Sequence, residues 1–376
     1  MALSLRAISS LSSLSLLPSS KQPYRYRSLA YIAIIASVLF VLCRLYLFPD
    51  DDLLALGSLH DSPERHALCA AHGFAPYPSG GDGTARRKIY DITMVNTELD
   101  WLEIRLDALY DEVDLFIIVE SPTTFHGHAK PMLAKESWHR FARYHDKMLH
   151  HELEFPSGFR PRRTWDFERL QRDAGYEQVF PKLISGGDRA PRLGDVLVVA
   201  DVDEIPRPET LRVLRACAFP RRLTLASRFY YYSFQFLSVG PEWHHPQATF
   251  YDGPGARTLA PNDLRDGQGG NFVSRWRESA RYGNASWHCS SCFDSMDMFL
   301  NKMASFSHKW MNGAQYRDRD RIADAVRDGV DIWGRRSSTF ERLDGNQDLP
   351  PLVRDDPRYV YLRDRSGKSA GMKDYP

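Results

Sequence analysis

Between Val196 and Pro208 the chain reads VLVVADVDEIPRP, an apolar strand driven into three carboxylates and stopped by two prolines. A continuous apolar run of this kind suits a strand covered on both faces, as in a parallel sheet. The prolines end the ladder because they have no N–H to donate. In an extended chain Asp201 and Asp203 point to one side and Val202 to the other. Two carboxylates converging at a strand's mouth repel each other unless a cation lies between them. Such hard oxygen ligands select Mg²⁺ or Mn²⁺, with substrate phosphates and water completing the shell. Glu204 has a plainer role open to it, capping a helix that begins at the prolines.

The segments before this strand set its place in a fold. IYDITMV (89–95) and DLFIIVE (114–120) read as buried strands, and LHHELEF (149–155) as another. Leu99, Leu102, Leu106, Leu109 and Tyr110 share one helical face, with Thr97 as its N-cap. KESWHRFARYHDKM and the stretch from Trp165 to Leu183 are further helices. Strand and helix in alternation predict an α/β, doubly wound sheet with right-handed crossovers. Ligands in such sheets bind beyond the carboxyl ends of the strands, where Asn96, Glu120 and Asp201 to Glu204 fall. A phosphatase of the haloacid dehalogenase type also uses D-x-D after an apolar strand. Its motif continues with Gly-Thr on the first strand, whereas here Glu-Ile-Pro follows the fourth. After Phe219, RLTLASRFYYYSFQFLSVG and ATFYDG read as strands of a mixed sheet, SWHCSSCF as a strand or turn, and DSMDMFLNKMASF as a helix.

The first 49 residues contain no Asp or Glu, and LAYIAIIASVLFVLCRLYLF (29–48) is long enough to cross the ~30 Å core of a bilayer. Lys21, Arg25 and Arg27 precede this run and three aspartates follow it. The expected organisation is a cytosolic tail (1–28), a transmembrane signal anchor (29–48), a stem (49–87), a catalytic domain (88–313) and a C-terminal extension (314–376) packed on or trailing it. Residues 50–376 would then lie across the membrane. Asn284-Ala-Ser is an N-glycosylation triplet. Cys69, Cys217, Cys289 and Cys292 suit two disulfides in an oxidising compartment, with three pairings open. No second CxxC or HxxxH pair completes a zinc site with Cys289 and Cys292. Lysine plus arginine (49) nearly balances aspartate plus glutamate (48), so no cationic excess exists for general nucleic-acid binding.

Four ordered blocks, MVNTELDWLEIRLDALYDEVDLFIIVES, VVADVDEIPRP, SWHCSSCF and SFSHKWMN, resemble the β-1,4-mannosyl-glycoprotein 4-β-N-acetylglucosaminyltransferases, glycosyltransferase family 17. The resemblance runs from about Tyr90 to Asn312. It implies a GT-A type nucleotide-sugar-binding domain, a Rossmann-like mixed sheet with flanking helices behind an N-terminal transmembrane helix. It also implies single-pass type II Golgi placement with the catalytic domain lumenal, UDP-GlcNAc as donor, a protein N-glycan as acceptor, and Mn²⁺ or Mg²⁺.

On that resemblance Asp203 is a metal ligand, and Asp201 ligates the metal or holds the ribose. His308 is the expected third ligand and His288 its reserve. Asn96 and Glu120 are candidates for the uracil and ribose, and Lys130 and Arg172 for the phosphates or nucleotide. A β-linked product from an α-linked UDP-sugar requires inversion by direct displacement with one carboxylate base, for which Glu242 and Asp294 are the candidates. Trp243, Trp287 and Tyr230 to Tyr232 are candidates for stacking on sugar rings. Two rival readings are a same-fold transferase with another donor or acceptor, and a lumenal lectin that has lost catalysis. Retention of both Asp201 and Asp203 weighs against the lectin.

Overall fold

The apolar runs of the first half form neighbouring parallel strands, β1 (Ile89–Val95), β2 (Leu115–Glu120), β3 (Met148–Glu152) and β4 (Val196–Asp201), side by side in the order β3–β2–β1–β4. The computed structural model describes residues 62–78, 86–305, 309–336 and 338–375. The tail (1–28), the anchor (29–48), parts of the stem and His308 lie outside these residues. Among the described residues no helix is long and apolar enough to cross a membrane.

Period-two alternation divides each parallel strand between two cores. Val95, Phe116, Ile118, Val196 and Val198 pack with Trp101, Leu102 and Leu106 of α1 (Leu99–Leu109). Ile92, Ile117, Val119 and Leu197 face the other way, onto Ala174 and Tyr176 of α2 (Thr164–Glu177) and onto Phe180. Burial on both faces is why β2 and β4 read as apolar runs up to their terminal carboxylates. Gly175 lets α2 settle on β1, since a Cβ there would stand 2.3 Å from Ile92 Cγ2.

Local expectations were met unevenly. α1 starts at Leu99 with Glu98 before it and no side-chain cap, so Thr97 does not cap it. The helix expected over 135–148 is a short α-turn, Leu133–Glu136, and then a 3₁₀ segment, Trp138–Lys147, broken at Phe141. Trp, His, Phe and Tyr crowd that stretch and lose rotamer freedom in an α-helix.

The second half completes one mixed sheet with β5 (Glu204–Pro206), β6 (Arg222–Tyr231), β7 (Ser233–Ser238), β8 (Gln247–Phe250), β9 (Ser279–Ser290) and β10 (Phe340–Arg342). β8 is antiparallel to both β4 and β6, while β9 runs parallel to β6 and antiparallel to β5. The long aromatic run breaks into β6 and β7 at Tyr232, where φ is 64°. Helices α3 (Pro208–Ala216), α4 (Met296–Ser305) and α5 (Arg319–Asp328) flank this half.

Two segments expected at the margins are part of the packing. Within the expected stem, the helix Pro63–Ala71 is joined to the end of α3 by the disulfide Cys69–Cys217, and Ala75–Pro76 pairs with Cys217–Ala218. The other disulfide is Cys289–Cys292. The segment after residue 313, expected to pack on or trail the catalytic domain, contributes β10 to the sheet beside β7. Arg365, fully buried, donates to the carbonyls of Tyr232, Phe293 and Ala370. Asp348 accepts from Arg207, Arg228, Tyr230 and Trp287.

Candidate functional site

The segments that follow β1, β2 and β4 meet strands β6 and β9 around a cleft of about 420 Å³. Register explains the convergence: Met94 of β1 lies beside Asp201 of β4, so Asn96 and the acidic turn emerge together. β9 runs between β5 and β6, which sets His288 beside Glu204 on one side and Phe229 on the other. Asn96, Lys130, Asp201, Asp203, Trp243 and His288 all border the cleft.

The three acidic residues of the turn have different environments. Asp201 is held at both oxygens, by Arg172 Nη2 at 3.1 Å and Arg265 Nη2 at 2.7 Å. Two guanidinium groups thus hold the carboxylate that was expected to ligate the metal or hold the ribose, and Asp201 still borders the cleft. Arg172 is correspondingly a clamp on Asp201, Glu168 and Asn262 and does not border the cleft. Glu204 is buried and accepts from Arg265, from Trp243 Nε1 at 2.9 Å and from its own turn at Asp201 N. Burial alone would raise its pKa, but Arg265 holds it well below the usual carboxylate range. Glu204 therefore locks the turn from inside and caps no helix.

Asp203 has no arginine in contact among the described residues. It has an ionic partner in His288 Nε2 at 3.7 Å, an ion-pair distance longer than a hydrogen bond. Burial pushes the Asp203 carboxyl up, but the positive charges of His288 and Lys302 outweigh it and the net displacement is downward. Among the described residues, His288 Nδ1 is buried without a hydrogen-bond partner, as is Asn96 Oδ1. Unsatisfied polar atoms bordering a cleft are what a bound polar ligand would complete. Among the described residues no three carboxylate, histidine or cysteine groups gather at metal-binding separations.

Other expected residues lie elsewhere. Glu120 is fully buried and accepts from Ala134 N, Lys135 N and His150 Nε2 at 2.9–3.1 Å, so it anchors the segment after β2 and does not border the cleft. Asp294 lies outside the cleft, with Lys373 Nζ at 2.7 Å. Glu242 borders a separate groove, paired with Arg281 at 2.6 Å and accepting from Asn284 N. Neither expected base therefore reaches the cleft. Trp287 donates to Asp348 away from it, while Tyr231 borders it together with Phe229 and Trp243.

Some bordering residues were not anticipated. Lys302 on α4 and Arg335 and Trp333 beyond α5 close one side, and Glu98 stands on another. Glu98 Oε2 accepts from Asn96 N and Thr97 N, at 3.2 and 2.9 Å. Lys302 carries a readable signal, a lone lysine three residues after the buried Phe299 of an apolar helix face. Arg265, in PNDLRDG, carries none.

The family model of glycosyltransferase family 17 matches residues 37–344. The chain belongs to glycosyltransferase family 17. The human (Homo sapiens) β-1,4-mannosyl-glycoprotein 4-β-N-acetylglucosaminyltransferase is 26% identical over 263 residues, 65% of this chain and 48% of the relative. The rat (Rattus norvegicus) protein of the same name matches at 26% and the mouse (Mus musculus) one at 25%, with the same coverage. The chain therefore spans about half the length of the curated relatives it matches. Among solved structures, a mannosyltransferase, PcManGT from Pyrobaculum calidifontis in complex with GDP-mannose and Mn²⁺, aligns with a TM-score of 0.33 and 14% identity, covering 70% of this chain and 74% of that one. That overlap is too slight to carry an argument about the site. The family 17 match spans every strand and the whole acidic turn, but it stops short of Asp348 and Arg365.

Proposed function

We propose that this family 17 chain is an inverting, metal-assisted glycosyltransferase with a GT-A type site, moving N-acetylglucosamine from UDP-GlcNAc in β-1,4 linkage to a mannose of a protein N-glycan. The observation that carries the reading is the differentiated acidic turn. Asp201 and Glu204 are neutralised by arginine, and Asp203 is left facing a cleft beside His288. The donor and acceptor follow the printed names of the relatives. A membrane-anchored lumenal placement rests on the apolar run at 29–48 and the charges flanking it.

The residues fit a divalent cation in a specific way. Asp203 and His288 offer one hard oxygen and one imidazole nitrogen, a set suited to Mn²⁺, and phosphate oxygens and water would supply the rest. Bound there, the ion would neutralise charge developing on the leaving UDP. Lys130 and Lys302, both bordering the cleft, add positive charge for the diphosphate. Burial holds the Lys130 pKa down while Glu120, Glu98 and Glu136 pull it back up, and it ends below that of an ordinary lysine. Asn96 Oδ1, buried and unpaired, would accept from the nucleoside. With Asp294 and Glu242 outside the cleft and Glu168, which also borders it, paired with Arg172 at 3.0 Å, Glu98 is the carboxylate we assign to take the acceptor hydroxyl's proton. In the displacement the hydroxyl oxygen bonds to C1, the C1–O bond to UDP breaks, and the proton passes to Glu98.

The test uses the full chain with Mn²⁺, a panel of UDP- and GDP-sugars, and N-glycan acceptors, following nucleotide release and product linkage. Transfer from UDP-GlcNAc that needs both metal and Asp203 supports the proposal. Preference for another sugar nucleotide would refute the donor, and glycan binding without transfer would favour a lectin.

A further inference from the structure

Behind the aromatic wall of the cleft lies a second groove, about 340 Å³, bordered by Arg228, Leu237, Ser238, Pro241, Glu242 and Asn284. Phe229 borders both spaces. It stacks on Trp243 at 5.6 Å and on His288 at 4.9 Å between ring centroids, so one aromatic cluster runs from the groove to the partner of Asp203. Trp243 is 37% exposed although its Nε1 is tied to Glu204, which leaves ring surface open beside the catalytic turn.

Each charged side chain that borders the groove is already paired. Glu242 pairs with Arg281 at 2.6 Å, and Arg228 shares Asp348 with Arg207, at 2.9 and 2.5 Å. A wall of neutralised pairs with hydroxyl and amide groups between them does not select an anion or a cation. Joined to an aromatic platform, it suits a neutral ligand rich in hydroxyls, whose C–H faces stack and whose hydroxyls bond to the polar rim.

We propose that the second groove is an extended subsite for a neutral oligosaccharide. The sugar next to the reacting one lies over Phe229 and Trp243, and the outer residues run between Ser238 and Glu242. This inference rests on the glycosyltransferase reading for the reacting end only. A glycan attached at Asn284 would start inside the same groove, so modification of that triplet and occupation by an acceptor exclude one another. The Asn284 side chain accepts from Arg207 Nη2 at 2.8 Å, a bond that holds it to the protein side of the rim.

Binding tests the proposal apart from turnover. The full chain, loaded with UDP and Mn²⁺, is titrated with a released N-glycan and with methyl β-mannoside. Ser238→Trp fills the groove, and Val239→Trp, on the exposed neighbour, is the control. The expected result is a Kd for the N-glycan raised at least tenfold by Ser238→Trp and unmoved by Val239→Trp, with the mannoside discriminating far less. An unchanged Kd in Ser238→Trp, equal loss in both variants, or no glycan binding by the unaltered chain overturns the proposal. So does a glycan found on Asn284 by peptide mass spectrometry. Failure of the enzymatic reading gives a different result, intact glycan binding with no transfer from UDP-GlcNAc.

Discussion

Arg105 grips Asp91 from both ends of its guanidinium, at 2.6 and 2.5 Å, and with Nη1 reaches the carbonyls of Glu204 and Asp201, at 2.6 and 3.3 Å. Both side chains are fully buried. The pair joins α1 to β1 and fixes the backbone on each side of Val202 and Asp203. Breaking a buried pair from one side leaves an uncompensated charge, which costs about 3–5 kcal/mol. Asp91→Ala should lower stability by that amount in chemical denaturation. Replacing both partners, Asp91→Leu with Arg105→Met, should recover much of the stability. Metal-dependent UDP binding should stay weak, because the turn has lost its anchor.

Asp203 and Asp201 should differ when each is changed to asparagine. Asp203→Asn should reduce Mn²⁺-dependent UDP binding at least tenfold in calorimetry, and His288→Ala should reduce it less. Asp201→Asn leaves Arg172 and Arg265 short of a carboxylate, so its main effect should be on the melting temperature.

Glu98→Gln separates the proton acceptor from the donor site. Loss of a general base costs about 10²–10⁴-fold in rate, so kcat should fall in that range while UDP binding persists. A kcat within threefold of the parent would remove Glu98 from the role.

Asp348 links stability to pH. Burial raises its pKa, but hydrogen bonds from Arg207 and Trp287 and the charge of Arg228 prevail and bring it from 3.8 down to about 2. A depressed carboxylate stabilises the fold above its unfolded pKa and loses that contribution as pH falls through the folded one. The stabilisation of about 2 kcal/mol should therefore be complete above about pH 4 and vanish toward pH 2. Asp348→Asn should be less stable at pH 7 by about that much, and the difference should shrink in urea melts taken toward pH 2.

The disulfide Cys69–Cys217 spans 148 residues. Closing so long a loop stabilises by about 3–5 kcal/mol, so Cys69→Ala with Cys217→Ala should lower the melting temperature clearly. The pair Cys289–Cys292 encloses only a short turn, and its removal should cost less.

What the sequence determined by itself is what local burial writes into it. Ile92, Ile117 and Leu197 belong to strands covered on both faces, and they read as such because most positions along those strands are apolar, Asp91 and Thr93 of β1 being the interruptions. The start of α3 at Pro208 follows from the chemistry of proline, but β4 already ends at Asp201 and Pro206 lies within β5, so proline does not make the acidic turn. Four cysteines suited two bridges without saying which. What only the tertiary structure decided is which charge meets which. Glu120, Arg172 and Asp201 were all candidate ligand contacts as text, since a charged side chain that binds a ligand and one that pairs within the protein have the same letter. Arg265 reaches Asp201 across 64 positions and Asp348 gathers Arg207 across 141. His288 comes to Asp203 because β9 inserts between β5 and β6. Periodicity records how deeply a residue is buried, but the partner of a buried charge is set by strand order and register, and no local pattern carries that information.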